Sequence, residues 1–278
     1  MPTTTKTDAS LKQLAKSMRL EIIRMIEAAG SGHPGGSLSV IDILIVLYWK
    51  FLKHDPKNPN WAQRDRFILS KGHACPALYA VMAHRGYFPK EDLLGLRKLS
   101  SPLQGHPDRL RLPGVEFSTG SLGQGLSVGL GMAAAAKLDK KTWKTVVVLG
   151  DGELQEGQCW EAFMAAPKFM LDNLIAIVDY NGGQIDGQVK DVMDIDPLVD
   201  KLKAFNWDVQ RVDGHNMDAV EKALDKAWAA KNSRPQVIVA DTIKGKGVSF
   251  MEHNIAWHGN APKKEDADKA CLEIQNDR

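Results

Sequence analysis

The sequence predicts an open, doubly wound α/β fold, a parallel sheet with helices on both faces, and three observations lead there. Short β-branched runs alternate with longer helical patterns along most of the chain. Those runs are apolar nearly throughout rather than alternating, as strands covered on both faces are. Glycine beside a polar residue recurs at the end of each run, where open α/β sheets carry their ligand sites.

Taken in order, Leu11, Leu14, Met18, Ile22 and Met25 recur at helical spacing, with Ser10 as N-cap and Gly30 as the stop. "VIDILIVLYWKFL" (40–52) is the most apolar stretch. Asp42 and Lys50 break it short of the ~18 residues a membrane span needs, so it reads as a core helix. Strands are expected at 66–70, 145–150, 174–180, 207–213 and 235–243. Helices are expected near 123–138, 158–171, 196–205 and 216–231, the last with Asn216 as N-cap. No repeat, low-complexity tract or Pro/Ser-rich linker divides the 278 residues. One domain over 1–278 follows, with a helical N-terminal segment 10–52 and a charged tail 261–278.

Composition is that of an ordinary soluble protein, 44% hydrophobic and 25% charged. A net charge of +2 gives no basis for nucleic-acid or polybasic membrane binding. Cys75, Cys159 and Cys271 are too few and too dispersed for a disulfide framework or a zinc site. Charges interrupt the first thirty residues, so no signal peptide is read and a cytoplasmic location is expected.

The strand ends carry the chemistry. They are followed by Lys71-Gly72-His73, Asp151-Gly152, Asn181-Gly182-Gly183, Gly214-His215 and Lys244-Gly245-Lys246-Gly247. Neither a dinucleotide fingerprint at a first strand turn nor a P-loop is present. "GDGELQEG" instead puts a carboxylate at a strand end, and Asn181 offers a second oxygen 30 residues later, at the next strand end. That pair suits Mg²⁺, which takes few protein oxygens and the rest from phosphate and water. Gly182 and Gly183 would let a backbone carbonyl face the ion. A capping Asp and a turn-forming Asn would look the same. Likewise His33, His73 and His106 sit in Gly-rich loops where structural histidines are common. His54, His84, His215 and His253 are read as structural, and Cys159 as packing.

Here the residues carry a family resemblance. Gly150-Asp151-Gly152 with Asn181 resembles the signature of thiamine diphosphate enzymes, and "GDGELQEGQCWEA" looks like transketolase. So do "SGHPGGSLS" (31–39), "SKGHACPALYA" (70–80), "GHP" (105–107), "STGSLGQGLSVGLGMA" (118–133), "DYNGGQIDG" (179–187), "DGHN" (213–216) and "WHG" (257–259). They stand in family order across nearly the whole chain. The resemblance implies that Asp151, Asn181 and the Gly183 carbonyl bind a divalent ion, Mg²⁺ or Ca²⁺, on the cofactor diphosphate. It places Gly152, Glu153, His73, His258 and Lys244 in the diphosphate site, and Gly120, Ser121 and Leu122 at the aminopyrimidine. It assigns His33 and His106, with His73 and His258, to catalysis at the substrate, and Glu156 to coupling between paired sites.

A complete transketolase continues into a second domain whose glutamate activates the cofactor, and nothing in this chain replaces it. The resemblance therefore implies the N-terminal subunit of a split transketolase. A separate C-terminal subunit would carry the pyrimidine domain, in an assembly of two plus two. The default substrates are xylulose 5-phosphate and ribose 5-phosphate. Split forms could serve another sugar phosphate, and the other rivals are a deoxyxylulose-phosphate synthase, a 2-oxo acid dehydrogenase component and a non-catalytic scaffold. The "GELQEGQCWEA" continuation and "GHP" weigh against the two enzymes, and the surviving Asp151, Asn181 and histidines against the scaffold.

Overall fold

The computed structural model describes residues 8–276. Its five-stranded parallel sheet comprises β1 (Arg66–Leu69), β2 (Thr145–Gly150), β3 (Leu174–Tyr180), β4 (Asp208–Asp213) and β5 (Gln236–Asp241), in the order β1-β2-β3-β5-β4. All five lie within two residues of their expected bounds. Residues alternate across each strand, so the sheet has two apolar faces. Val146, Val148, Ile175, Ile177 and Ile238 pack into one core with α1 (Asp8–Ala29), α2 (Pro34–Val46), α3 (Cys75–Arg85), α7 (Met217–Ala229) and α8 (Lys264–Gln275). Val147, Leu149, Ala176, Val178 and Val239 pack into the other with α4 (Gln124–Leu138), α5 (Gly157–Lys168) and α6 (Leu198–Ala204). The central strands β2 and β3 are buried almost throughout, whereas the edge strand β4 is only half-buried, which is why its sequence mixes Asp, Gln and Arg with Val.

Three expectations need correcting. Ser10 is no N-cap: it lies inside α1, which already runs through Asp8. The apolar helix is not short, because the helical run extends from Pro34 to Phe51 through a π-turn at Leu47–Phe51. At 18 residues it reaches the length of a membrane span, but 89% of it is buried inside the protein. It is a core helix, and a helix apolar on every side is one that other elements surround. Its Asp42 is tolerated because Arg19 and His215 both donate to the carboxylate. Burial pushes that carboxyl up, but the two partners outweigh it and hold it below its usual value. The third correction is the tail, which folds as α8 and buries Ala267, Ala270, Cys271 and Ile274 against the α1 side of the core. Asn216 does cap α7, accepting from the Ala219 amide at 3.1 Å.

Candidate active site

Register builds the site. Gly150 pairs with Asp179, and Tyr180 with Asp241. Asp151, Asn181 and Thr242 therefore stand just past the carboxyl ends of three neighbouring strands. Asp151 and Asn181 line a cleft of about 330 Å³, which His33, His73, His106 and His258 also line; Thr242 turns instead to the buried Asp179.

The polar floor is anchored on two buried carboxylates. Asp179 is wholly buried and accepts from Lys71 Nζ, from Thr242 Oγ1, from Ser39 Oγ at 2.6 Å and from Asn181 Nδ2 at 3.1 Å. With its amide nitrogen committed to Asp179, Asn181 turns Oδ1 the other way. That oxygen and the Gly183 carbonyl both accept from Lys244 Nζ, at 3.3 and 2.8 Å. Glu153 accepts from Ser70 Oγ and, at 3.0 Å each, from the amides of Gly123 and Gly150. It thereby ties the ends of β1 and β2 to the start of α4.

Asp151 accepts from the amides of Gly152, at 2.8 Å, and Gly182. Gly182 holds φ +77°, a turn geometry glycine adopts without strain. Burial, with Asp179 nearby, raises the Asp151 carboxyl to about 6 against the pull of Lys244. Burial and the neighbouring Lys71 lower Lys244 to about 8. Both buried charges are thus pushed towards neutrality, a disposition that a dication beside the carboxylate and a polyanion beside the lysine would each reverse.

The donor set tests the cation directly. Lys244 Nζ shows that Asn181 Oδ1 and the Gly183 carbonyl lie within reach of a single positive centre. Among the described residues no group of three His, Cys, Asp or Glu could hold a metal. One carboxylate, one amide and one carbonyl instead form an all-oxygen set of the kind Mg²⁺ shares with phosphate and water. The residues fit such an ion.

The imidazoles are arranged differently. His33 lies 5.2, 5.6 and 6.4 Å, centroid to centroid, from His73, His258 and His106. His73 and His258 stack at 5.2 Å. Burial, then nearby positive charge, lowers all four below the ordinary histidine value, His33 to about 4 and His258 to about 3. All four are neutral at pH 7, each with one N–H to donate and one lone pair to accept with. Nδ1 of His33 and Nδ1 of His258 are buried with no hydrogen-bond partner among the described residues. Buried nitrogens of that kind are uncommon in finished cores.

Of the other expected site residues, Gly120, Leu122 and Gly152 line the cleft. Ser121 is exposed, as is Glu156 at the N-cap of α5 on the cleft rim. Cys159, in the first turn of α5, is buried in the core, and burial pushes its thiol up rather than down. His54 and His84 bond to Tyr87 and Glu21, and His215 to Asp42, away from the cleft. Sequence reading gave Lys71 no role and missed Asp179, Thr242 and Ser39. A lysine and an aspartate at the ends of otherwise apolar strands were the available signal.

The family described as "Transketolase, thiamine diphosphate binding domain" matches residues 10–274. The 6-deoxy-6-sulfo-D-fructose transketolase subunit of Clostridium sp. (strain MSTE9) is 44% identical, covering 96% of this chain and 97% of that protein. An apulose-4-phosphate transketolase subunit of Phocaeicola vulgatus is 39% identical, over 95% and 94% of the two chains. The crystal structure of transketolase from Campylobacter jejuni superposes with a TM-score of 0.89 at 36% identity, covering 97% of this chain and 43% of that one. A parallel sheet with an oxygen-lined cleft at its carboxyl edge and a match over nearly the whole chain lead to one conclusion: the chain belongs to the transketolase thiamine diphosphate-binding domain family.

Proposed function

We propose that this chain, as a single diphosphate-binding domain, is the N-terminal subunit of a transketolase that moves a two-carbon ketol unit from a ketose phosphate to an aldose phosphate. The observation that carries the reading is one cleft lined by Asp151, Asn181 and Gly183 beside four imidazoles, with Asn181 Oδ1 and the Gly183 carbonyl turned to a single cation. Asp151, Asn181 and Gly183 would hold Mg²⁺ (or Ca²⁺) for the cofactor diphosphate, and Gly152, Lys244, His73 and His258 would help bind that diphosphate. Glu153 supports this floor from beneath through Gly123 and Gly150. Gly120, Ser121 and Leu122 would meet the aminopyrimidine, and Glu156 on the rim would link paired sites. Thiamine diphosphate, when bound, supplies a nucleophilic thiazolium carbon and an electron sink.

The protein's own share is proton handling and exclusion of water. A neutral imidazole accepts a hydroxyl proton at one nitrogen while donating from the other, so His33 and His106 suit the substrate hydroxyls. His258 and His73, stacked at 5.2 Å in the cleft, would shield the diphosphate from water. The cofactor-activating glutamate and most of the grip on the substrate come from a separate C-terminal subunit, in a two-plus-two assembly. Relatives named as subunits, which this chain spans almost end to end, support a separate partner chain. Xylulose 5-phosphate and ribose 5-phosphate are the default substrates. Because those relatives are named for a sulfo sugar and a sugar phosphate, a different anionic ketose is the second reading.

The test is ketol transfer with thiamine diphosphate and Mg²⁺, run on this chain alone and with a C-terminal half. Xylulose 5-phosphate, 6-deoxy-6-sulfofructose and apulose 4-phosphate serve in turn as donor. Turnover only in the mixture is expected, and the preferred donor names the substrate. Pyruvate consumption without any ketose would overturn the assignment. A co-purified pair eluting at the mass of one plus one would sink the tetramer.

A further inference from the structure

His33 and His106 stand on loops outside the sheet, and one side chain joins those loops. We propose that Arg97 is a positioning residue that ties the His33 loop to the His106 loop and sets its charge against both imidazoles. The proposal rests on the reading of His33 and His106 as the substrate-facing pair.

The Arg97 guanidinium donates from Nη1 to Ser31 Oγ at 3.1 Å and from Nη2 to the Gly105 carbonyl at 3.2 Å. Ser31 lies two residues before His33, and Gly105 immediately precedes His106. A planar fork with fixed donor directions fixes the spacing of its two acceptors, which a flexible ammonium does not. The surroundings are shaped for it. A Cβ on Gly105 would stand 2.7 Å from Arg97 Cζ, so glycine there makes room for the guanidinium. A Cβ on Gly120 would stand 3.0 Å from His106 Cγ, so glycine there makes room for that ring. Arg97 itself holds φ +59°, a left-handed conformation uncommon for a residue with a side chain, and is fastened by its amide to the Leu103 carbonyl at 2.8 Å.

The charge has a function beside the geometry. Among the described residues Arg97 makes no ion pair, whereas Arg19, Arg64 and Arg211 each meet a carboxylate. His33 faces Arg97, His73, His106, Lys244 and His258; His106 faces Arg97 and His33. After burial, Arg97 is the next cause depressing each of the pair, and for His106 it is the only other one. Replacing the guanidinium by a shorter neutral amide should therefore raise both imidazoles. Replacing it by lysine should keep them low while untying the loops.

The experiment reads these two effects separately. Imidazole ¹⁵N signals of the full chain are titrated by NMR for wild type, Arg97→Gln and Arg97→Lys. Initial rates are then measured over pH with the cofactor, Mg²⁺ and the C-terminal half present. Arg97→Gln is expected to raise the His33 and His106 midpoints by about half a unit or more and to move the acid limb of kcat/KM upward with them. Arg97→Lys is expected to keep both midpoints near wild type and to lower kcat about tenfold or more with little change in KM. Unmoved midpoints in Arg97→Gln, or a wild-type kcat in Arg97→Lys, would each overturn the proposal. Should Arg97→Gln not fold, Ser31→Ala removes one arm of the clamp at an exposed position and is expected to lower kcat by a smaller factor; a wild-type kcat there overturns the tie between the loops. The titration needs no turnover. Failure of every donor would therefore sink the transketolase reading and leave the Arg97 result standing.

Discussion

The two walls of the cleft are built on opposite plans. On the strand side every buried charge is answered: Asp179 by four donors, Glu153 by three and Lys71 by an ion pair and a carbonyl. On the loop side four imidazoles lie against one another, two of them with a buried nitrogen that nothing in the described residues meets. A satisfied network is rigid and presets where a cation and diphosphate sit. Uncommitted imidazoles keep their hydrogen-bonding capacity for a ligand and their proton for a reaction. The first wall should therefore answer to tests of stability and binding, and the second to tests of turnover.

The largest effect is expected on the loop side. His106→Ala should lower kcat of the complete enzyme by about 10²–10⁴, the range for losing a positioned acid–base group. Metal-dependent cofactor affinity should stay within about threefold of wild type, since His106 takes no part in the floor. A parallel loss of cofactor affinity would erase the distinction between the walls.

Next comes the buried pair. Lys71→Met leaves Asp179 wholly buried without its cation, and breaking such a pair costs about 3–5 kcal/mol of stability. Urea unfolding of the full chain measures this. A loss under about 1 kcal/mol would show that Ser39, Thr242 and Asn181 suffice for the carboxylate.

Asp151→Ala should weaken Mg²⁺-dependent thiamine diphosphate binding by about 100-fold or more, at least the loss that replacing a metal's supporting partners brings. Melting temperature should change little, because loss of a carboxylate that burial penalises offsets the Gly152 and Gly182 amides left without their acceptor. Calorimetric titration at several Mg²⁺ concentrations reads the first effect. Unchanged affinity would remove Asp151 from the ion site.

How far these walls could be read from sequence follows the range of their contacts. The strands were legible because β-branched runs are local, and their glycine-marked ends pointed to the cleft. Helix α3 escaped because Cys75–Ala83 is buried all round and shows no helical period. The α8 stripe escaped because its inward residues are mostly small and sit among charges. At the site, Asp151, Asn181 and the histidines stood in recognisable loops. Their supports did not: Lys71 meets Asp179 across 108 residues of sequence and Ser39 meets it across 140. Arg97 lay in a stretch with no periodic signal. Residues that form a motif are visible along the chain, whereas residues that hold the motif in place become visible only when strands far apart are paired.

The smallest effect is also the one in which the walls pull in opposite directions. In an unfolded chain histidine titrates near 6.5 and aspartate near 3.9. His258 is lowered to about 3 on folding, first by burial. Between those values the unfolded state binds more protons, so the stability His258 contributes is complete above about pH 6.5 and is lost as pH falls towards about 3. Asp151 is raised to about 6, again first by burial, so its contribution has the opposite sign: it is present at low pH and is lost as pH rises through about 6. Each slope is at most about 1.4 kcal/mol per pH unit, less for His258 because solvent partly screens it. In chelator-treated protein unfolded by urea at pH 7, 6 and 5, His258→Asn should flatten the fall in stability on acidification. Asp151→Asn should steepen it, because the relief that protonation of Asp151 gives is gone. Shifts of the same sign in both variants would mean that the two walls do not differ in the way their hydrogen bonds indicate.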